Sequence, residues 1–335
     1  MSKEIDELKE IAGDYRTWAL KARKRFIDLR LQQDLEIREI YIRLTNNISK
    51  QLKKGGLSPF NKRKLEQMYF ILSQNEEVLK DKLISNLQKY SEANIETATG
   101  YSKVILINAI EKAGVKKIEK PIIEKMYFRT NEKAVEAIWS RTKEGLYLSD
   151  NIWSKSQNYR DTMTTIMQGA VAEGQDCAKT ARMLDQYVLK GKKTLVDDYP
   201  NMIKRIGNRV PSDISYESLR LARTEMTAAY GEGTLVSASI NPSARGIKYI
   251  LSNTHPKPDK CDEICGIDDY GLGIGVYPID NAPSYPFHPN CLCTVITVTE
   301  QPKDFVQRLK KWQNDPMSEP SLESWYQNVY KKYID

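Results

Sequence analysis

Both histidines and four of the five cysteines of this 335-residue chain lie between His255 and Cys293, ending in the run His288-Pro289-Asn290-Cys291-Leu292-Cys293. Cys261-x-x-x-Cys265 and Cys291-x-Cys293 are two close pairs at opposite ends of a loop that cannot bury a useful core alone. A zinc ion takes four donors in a closed tetrahedral site, and such an ion would staple the loop to the strand that follows. Six donors compete for four positions. Cys261, Cys265, His288 and Cys293 are the first choice, with Cys291 as the substitute, because a Cys-x-Cys step makes it awkward for both thiols to reach one ion. His255 is expected to support the site through a hydrogen bond. Three alternatives stay open: metal-free reduced thiols, a Cys291 nucleophile with His288 as base, and a hydrolytic zinc served by His255 and Asp259. No orienting partner for the second is identifiable, and the helical His-Glu-x-x-His arrangement of many hydrolytic zinc sites is absent.

Composition bounds the remaining possibilities. With 40% apolar residues the chain can bury two cores. No stretch approaches the roughly 18 apolar residues of a membrane span, and the polar start Met1-Ser2-Lys3-Glu4 has no apolar run behind it, so a soluble, unexported protein is expected. The odd cysteine, Cys177, lies in a helical pattern and fits a buried free thiol. The other four favour metal in a reducing cytoplasm over disulfides. The formal charge of +7 is a small excess of 51 basic over 44 acidic residues. Lys21-Ala22-Arg23-Lys24-Arg25, Lys62-Arg63-Lys64 and Lys190-Gly191-Lys192-Lys193 read either as solvated faces or as nonspecific phosphate contacts. No helix-turn-helix, zinc-finger helix or RNA-binding aromatic motif supports base-specific recognition.

The expected fold class is α+β: an extended, mainly α-helical N-terminal region, then a small mixed α/β module with a structural zinc site, then a helical C-terminal tail. Four segments are expected: residues 1–144 with long helices, 145–214 as a helical middle region, 215–300 as the Cys/His module and 301–335 as the tail. Leu8, Ile11, Tyr15, Trp18, Ala22, Phe26 and Leu29 recur at three- and four-residue steps and predict a helix over 4–52. Lys54-Gly55-Gly56 breaks it, and Ser58-Pro59 opens a second helix to about Leu87. A third spans 92–113, and Pro121 opens a fourth. After a break from Gly145 to Asp150, Ser149 is expected to cap a helix from Asn151. A short helix follows Gly174, residues 190–214 are expected to be irregular, and an amphipathic helix runs from Ser215 to about Ser239.

From Asn241 onward ten of the 14 prolines follow, and the runs 247–251 and 294–298 predict strands. Gly271-Leu272-Gly273-Ile274-Gly275 lacks the context of a phosphate cradle, so no nucleotide site is expected. Arg220, Arg223 and Glu225 are either polar clamps onto the module or an ordinary charged face. The tail aromatics Trp312, Trp325, Tyr326 and Tyr330 form either a docking patch or an edge of the core.

Leu221-Ala222-Arg223-Thr224-Glu225, then Ser252-x-x-His255-Pro256-x-Pro258-Asp259-x-Cys261-Asp262, then Pro286-Phe287-His288-Pro289-Asn290-Cys291-Leu292-Cys293 resembles the C-terminal module of tailed-phage minor head proteins, the Mu F-like and SPP1 head-morphogenesis family. Leu148-Ser149-Asp150-Asn151-Ile152-Trp153, with Gly169 and Gly174, is similar to that family's helical part, so the motifs cover about 145 to 298. The family usually has arginine where this chain has Asn151 and Leu292. The resemblance implies a signature of His255, Asp259, Cys261, His288, Cys291 and Cys293. It also implies a non-enzymatic minor capsid protein at the portal vertex, acting in procapsid assembly and in DNA packaging, retention or ejection. The expected partners are portal protein, major capsid or scaffolding protein, and packaged DNA, with no membrane. The expected location is the phage head, after assembly in the host cytoplasm. The rival readings are a nonspecific DNA-binding protein with a structural zinc and a metal-dependent hydrolase or nuclease.

Overall fold

The computed structural model describes residues 2–334 apart from 144–145 and 256–257, with only the backbone at 142, 143 and 146. Gly145 of the expected break and Pro256 of the histidine motif lie outside the described residues. The element order is α1 (Lys3–Ala12), α2 (Arg16–Lys53), α3 (Lys62–Ala113), α4 (Lys120–Ser140), β1 (Thr142–Lys143), β2 (Leu146–Tyr147), α5 (Leu148–Ala172), α6 (Cys177–Lys190), α7 (Lys192–Asp198), α8 (Pro200–Ile206), α9 (Tyr216–Ser239), β3 (Ala244–Ile250), α10 (Lys260–Gly266), β4 (Val276–Tyr277), β5 (Thr294–Thr299), α11 (Pro302–Asn314) and α12 (Pro320–Asn328). A helix-dominated chain with a small antiparallel sheet of order β4-β3-β5 and a helical tail is the expected α+β class.

Several boundaries differ from the sequence expectation. Gly13, at φ 51°, ends α1 ahead of a short 3-10 turn. The second and third predicted helices are one: no glycine or proline separates Leu87 from Glu92, and buried Leu83, Leu87 and Tyr90 carry one stripe through. Helix α5 starts at Leu148 because Asp150, not Ser149, accepts the Tyr147 N–H, at 3.0 Å. The segment expected to be irregular after residue 190 holds α7 and α8, the latter opened by Pro200 at its first turn.

Two compact units divide the chain. One contains Met1–Arg30, Lys89–Ser140 and Arg223–Asp335; the other contains Leu31–Gln88 and Arg141–Ala222. In the second unit, Tyr41 packs edge-on to Tyr159 with ring centres 5.6 Å apart, and its hydroxyl lies 2.6 Å from Ser218 Oγ. Gln33 donates to Asn86 at 3.0 Å, and Ser49 donates to Asp185.

The first unit carries the sheet. Leu8, Ala12, Tyr15, Ala19 and Ala22 pack with Ile250 of β3 and Ile296 of β5. The tail aromatics settle as core: Trp312, Trp325 and Tyr330 are buried with Ile110, Met126 and Tyr127, and Tyr326 packs against them. Trp325 Nε1 donates to the Ile240 carbonyl at 2.7 Å. The turn from α9 into β3 is fixed by Asn241, whose amide nitrogen donates to Ser102 O at 3.1 Å and Ser102 Oγ at 2.9 Å while its oxygen accepts Ser243 N at 3.0 Å.

The glycine-rich run serves packing. Gly271, Gly273 and Gly275 all have positive φ, and at Gly275, with φ 66°, an added Cβ would lie 2.8 Å from the carbonyl oxygens of both Cys265 and Tyr249. Gly275→Ala is expected to cost more than about 2 kcal/mol from left-handed strain plus that clash. Gly266→Ala, where an added Cβ meets nothing within 4 Å, is the control and should be nearly neutral. Denaturant midpoints measure both, and equal midpoints would contradict this account of the loop.

Candidate metal centre

The Cys-x-x-x-Cys spacing is a helical turn. Cys261 and Cys265 sit four apart on α10 and are both buried. Asp259 caps that helix: its Oδ1 accepts Cys261 N at 2.7 Å, while Asp262 Oδ2 accepts Asp259 N at 2.8 Å. At the other end of the loop, Cys291 N donates to His288 O at 3.2 Å, with Pro289 and Asn290 between them and Asn290 at φ 63°. Proline followed by a left-handed asparagine is what a type II turn asks for, so the Pro-Asn pair folds His288 back beside Cys291. Two residues on, Cys293 leads into β5.

The sulfurs converge. Cys261 Sγ lies 3.7 Å from Cys291 Sγ, and the sulfurs of Cys261, Cys291 and Cys293 are all within 4.8 Å of one another. Cys265, buried one turn along α10, lies outside that group of three. A tetrahedral ion with sulfur at about 2.3 Å spaces its sulfurs by about 3.8 Å, so the Cys261–Cys291 separation is a tetrahedral edge. The Cys-x-Cys step is therefore no obstacle: residues two apart leading into a strand project to one side. All five cysteines are free, Cys177 among them and buried.

The electrostatics of the cluster favour one sulfur as thiolate. Hydrogen bonds from Cys261, Cys265 and Cys291 push the Cys293 thiol far below its ordinary value. Cys261 is pushed up by its hydrogen bonds to Cys291 and Cys293 and by burial, and Cys265 by its bond to Cys293 and by burial. The Cys261 contact pulls Cys291 down, but Cys293 and burial outweigh it and leave Cys291 raised to about 11. Sulfurs this close compete for protons, and a cation is the ordinary means of holding several of them as thiolates.

The histidines belong to a second group that shares Cys261. Ligand atoms of His255, Asp259, Cys261 and His288 are also all within 4.8 Å of one another. His288, a first-choice partner of the cysteines, thus groups with His255 and Asp259. His255 Nε2 is 2.9 Å from Asp262 Oδ2. Both groups are compatible with a metal ion; they take in five of the six sequence candidates and Asp259 of the signature, while Cys265, a first choice from spacing, belongs to neither.

Sequence reasoning missed the supports. Arg23, in one of the basic clusters, is turned inward: its guanidinium donates to the Leu292 carbonyl at 2.7 Å and to Glu4 Oε1 at 2.6 Å, with both side chains largely buried. Glu4 also accepts Thr294 Oγ1 at 2.8 Å and Asn253 N at 3.3 Å, so one carboxylate touches both ends of the site loop. From α9, Thr224 Oγ1 accepts Asn290 N at 3.2 Å, and Thr227 Oγ1 donates to Cys291 O at 3.3 Å. Beside them Glu225 is buried, whereas Arg220 pairs with Glu217 at 3.6 Å in solvent. Tyr285 OH donates to Cys293 O. Long-range partners of this kind leave no local pattern.

No family model, curated protein or solved structure matches the chain. Among the described residues, no helix is long and apolar enough to cross a membrane.

Arg23→Ala would leave Glu4 buried without its cation and is expected to cost about 3 kcal/mol in denaturant unfolding. It should also make Cys291 and Cys293 more reactive to a thiol reagent under native conditions. Unchanged stability together with unchanged thiol reactivity would show that Arg23 does not hold the site.

Proposed function

We propose that this chain is a structural minor head protein of a tailed phage, bound at the portal vertex, whose C-terminal module is held together by a zinc ion on Cys261, Cys265, Cys291 and Cys293. The observation that carries the reading is the convergence of the signature residues: His255, Asp259, Cys261, His288, Cys291 and Cys293, dispersed in sequence, meet at one place in one compact unit. Zinc is the ion chosen because buried thiolates at tetrahedral spacing suit a soft, redox-silent metal with a closed coordination sphere.

The work asked of such a protein is assembly. Long helices offer side-by-side surfaces for portal, major capsid or scaffolding protein, and no step of turnover chemistry is required. Exposed Lys21, Lys24, Arg25, Lys62, Arg63, Lys190 and Lys193 suit packaged DNA through phosphate contacts that weaken with salt. Arg23, Lys64 and Lys192, from the same clusters, are engaged within the fold, with Lys192 Nζ donating to Gly207 O at 2.8 Å. The proposed location is accordingly inside the head near the portal, after assembly in the host cytoplasm.

Native mass spectrometry of the chain mixed with the portal protein encoded by the same phage tests the reading. A complex of defined stoichiometry, formed without DNA, is expected. A chain indifferent to portal but binding duplex DNA in a salt-sensitive way would overturn it in favour of a nonspecific DNA-binding protein.

A further inference from the structure

The donors around Cys261 are too many for one ion. Cys261, Cys291 and Cys293 form one group of mutually close donors and His255, Asp259, Cys261 and His288 another, and among the described residues only Cys261 belongs to both. We infer that the module binds a second divalent transition-metal ion on His255, Asp259 and His288, with the Cys261 thiolate bridging it to the four-sulfur site.

Three features of the second group point to a cation. The first is the tautomer of His288. Its Nδ1 lies 2.8 Å from the Pro289 carbonyl, which can only accept, so Nδ1 carries a proton and Nε2 is the ring atom left to meet a ligand. That Nε2 is buried and makes no hydrogen bond. The second is what it faces: Asp259 Oδ2, at 3.4 Å. An imidazole nitrogen and a carboxylate oxygen at that distance are joined by a proton or by a metal ion, and a tetrahedral ion with nitrogen and oxygen at about 2.0–2.1 Å spaces its donors by about 3.4 Å. The third is the support. Asp259 Oδ1 is occupied by the backbone N–H of Cys261, which leaves Oδ2 as the outward donor, and His255 Nε2 is turned toward the carboxylates, 2.9 Å from Asp262 Oδ2 and 3.5 Å from Asp259 Oδ1.

Charge gives the same answer. Four thiolates around one divalent ion leave two negative charges in a buried site, and a second ion against Cys261 offsets them where solvent cannot. The two positions differ in character. The cysteines are buried, whereas Asp259 and His288 each keep about a third of the side chain exposed, at 32% and 34%. The second ion is therefore reachable from solvent and should exchange faster. A donor set of two imidazoles, one carboxylate and one thiolate is of mixed hardness and suits zinc, cobalt or iron in the divalent state.

This inference rests on the four-sulfur site of the proposed function, and the test separates the two. The full chain is loaded with zinc, freed of excess, and weighed by native mass spectrometry as wild type, as the double variant His255→Ala/His288→Ala, and as Cys291→Ser/Cys293→Ser. Two zinc ions per wild-type chain, falling to one in the histidine variant with the Cys291 and Cys293 thiols still protected, is the expected result. One ion in wild type, retained by the histidine variant and lost from the cysteine variant, would overturn the second site and leave the first intact. No ion in wild type would overturn both. Cobalt(II) supplies an independent readout that does not depend on variants folding. Filling the second site should lower the EPR intensity per cobalt, because a shared thiolate couples the two ions, and constant intensity per cobalt would rule out the bridge.

Discussion

Three buried sulfurs within 4.8 Å of one another, Cys261, Cys291 and Cys293, with Cys265 buried one helical turn from Cys261, tie the two ends of the C-terminal module's loop together. The segment between β3 and β5 is long, rich in glycine and proline, and leaves Ile267, Tyr270, Leu272 and Ile274 substantially exposed. Its fixed points are α10, which presents Cys261 and Cys265, and the Pro-Asn turn, which delivers Cys291 and Cys293. An aromatic group lies beside them, with Tyr249 meeting Tyr277, Tyr285 and Phe287 at ring distances of 5.7, 5.9 and 5.1 Å. The rings contribute burial and edge-to-face contacts. The sulfurs join α10 to the segment entering β5, with Cys261 Sγ 3.7 Å from Cys291 Sγ.

The N-terminal helical segment takes part in that site through charge. Glu4 and Arg23 are a buried pair whose remaining hydrogen-bonding capacity is spent on Leu292, Thr294 and Asn253. A buried ion pair adds little net stability, but breaking one is costly, so such a pair specifies an arrangement more than it strengthens one. Lys248 of β3 does the same on a smaller scale, donating to the Ile274 carbonyl and pairing with Glu7. The first turns of the chain and the module are thus parts of one unit.

Much of this was legible in the sequence, and the exceptions have physical causes. The helix from Ser215 and the two long strands were readable because their apolar periods are regular and their ends are marked. The continuity of α3 was obscured by a polar stretch, Gln88-Lys89, which carries no helix breaker and so never ends a helix. Helix α10 is too short for a period to show, although Asp259 and Asp262 bracket its first turn as a capping pair; the three-residue gap between its cysteines reads equally as ligand spacing and as one helical turn. Arg23 sits among four neighbours that look like a solvated basic run, and its partner Leu292 is 269 positions away. Three of the four unit boundaries fall within α2, α3 and α9, where neither glycine nor proline marks a division, and the fourth follows the end of α4 at Ser140. For the site itself, residue types and spacing named candidate donors, of which Cys265 does not join either close group. The grouping of those donors around Cys261 required the fold.

The central claim is that a metal ion on the module's thiolates orders the loop against the sheet. Hydrogen exchange of the full chain, read segment by segment before and after chelation under reducing conditions, tests it most directly. The account predicts that chelation releases protection in α10 and in residues 285–293 first, while the helices of the Leu31–Gln88 and Arg141–Ala222 unit keep theirs. Exchange in residues 255–293 that is identical with and without chelator would contradict it, and would leave the buried thiols as ordinary core.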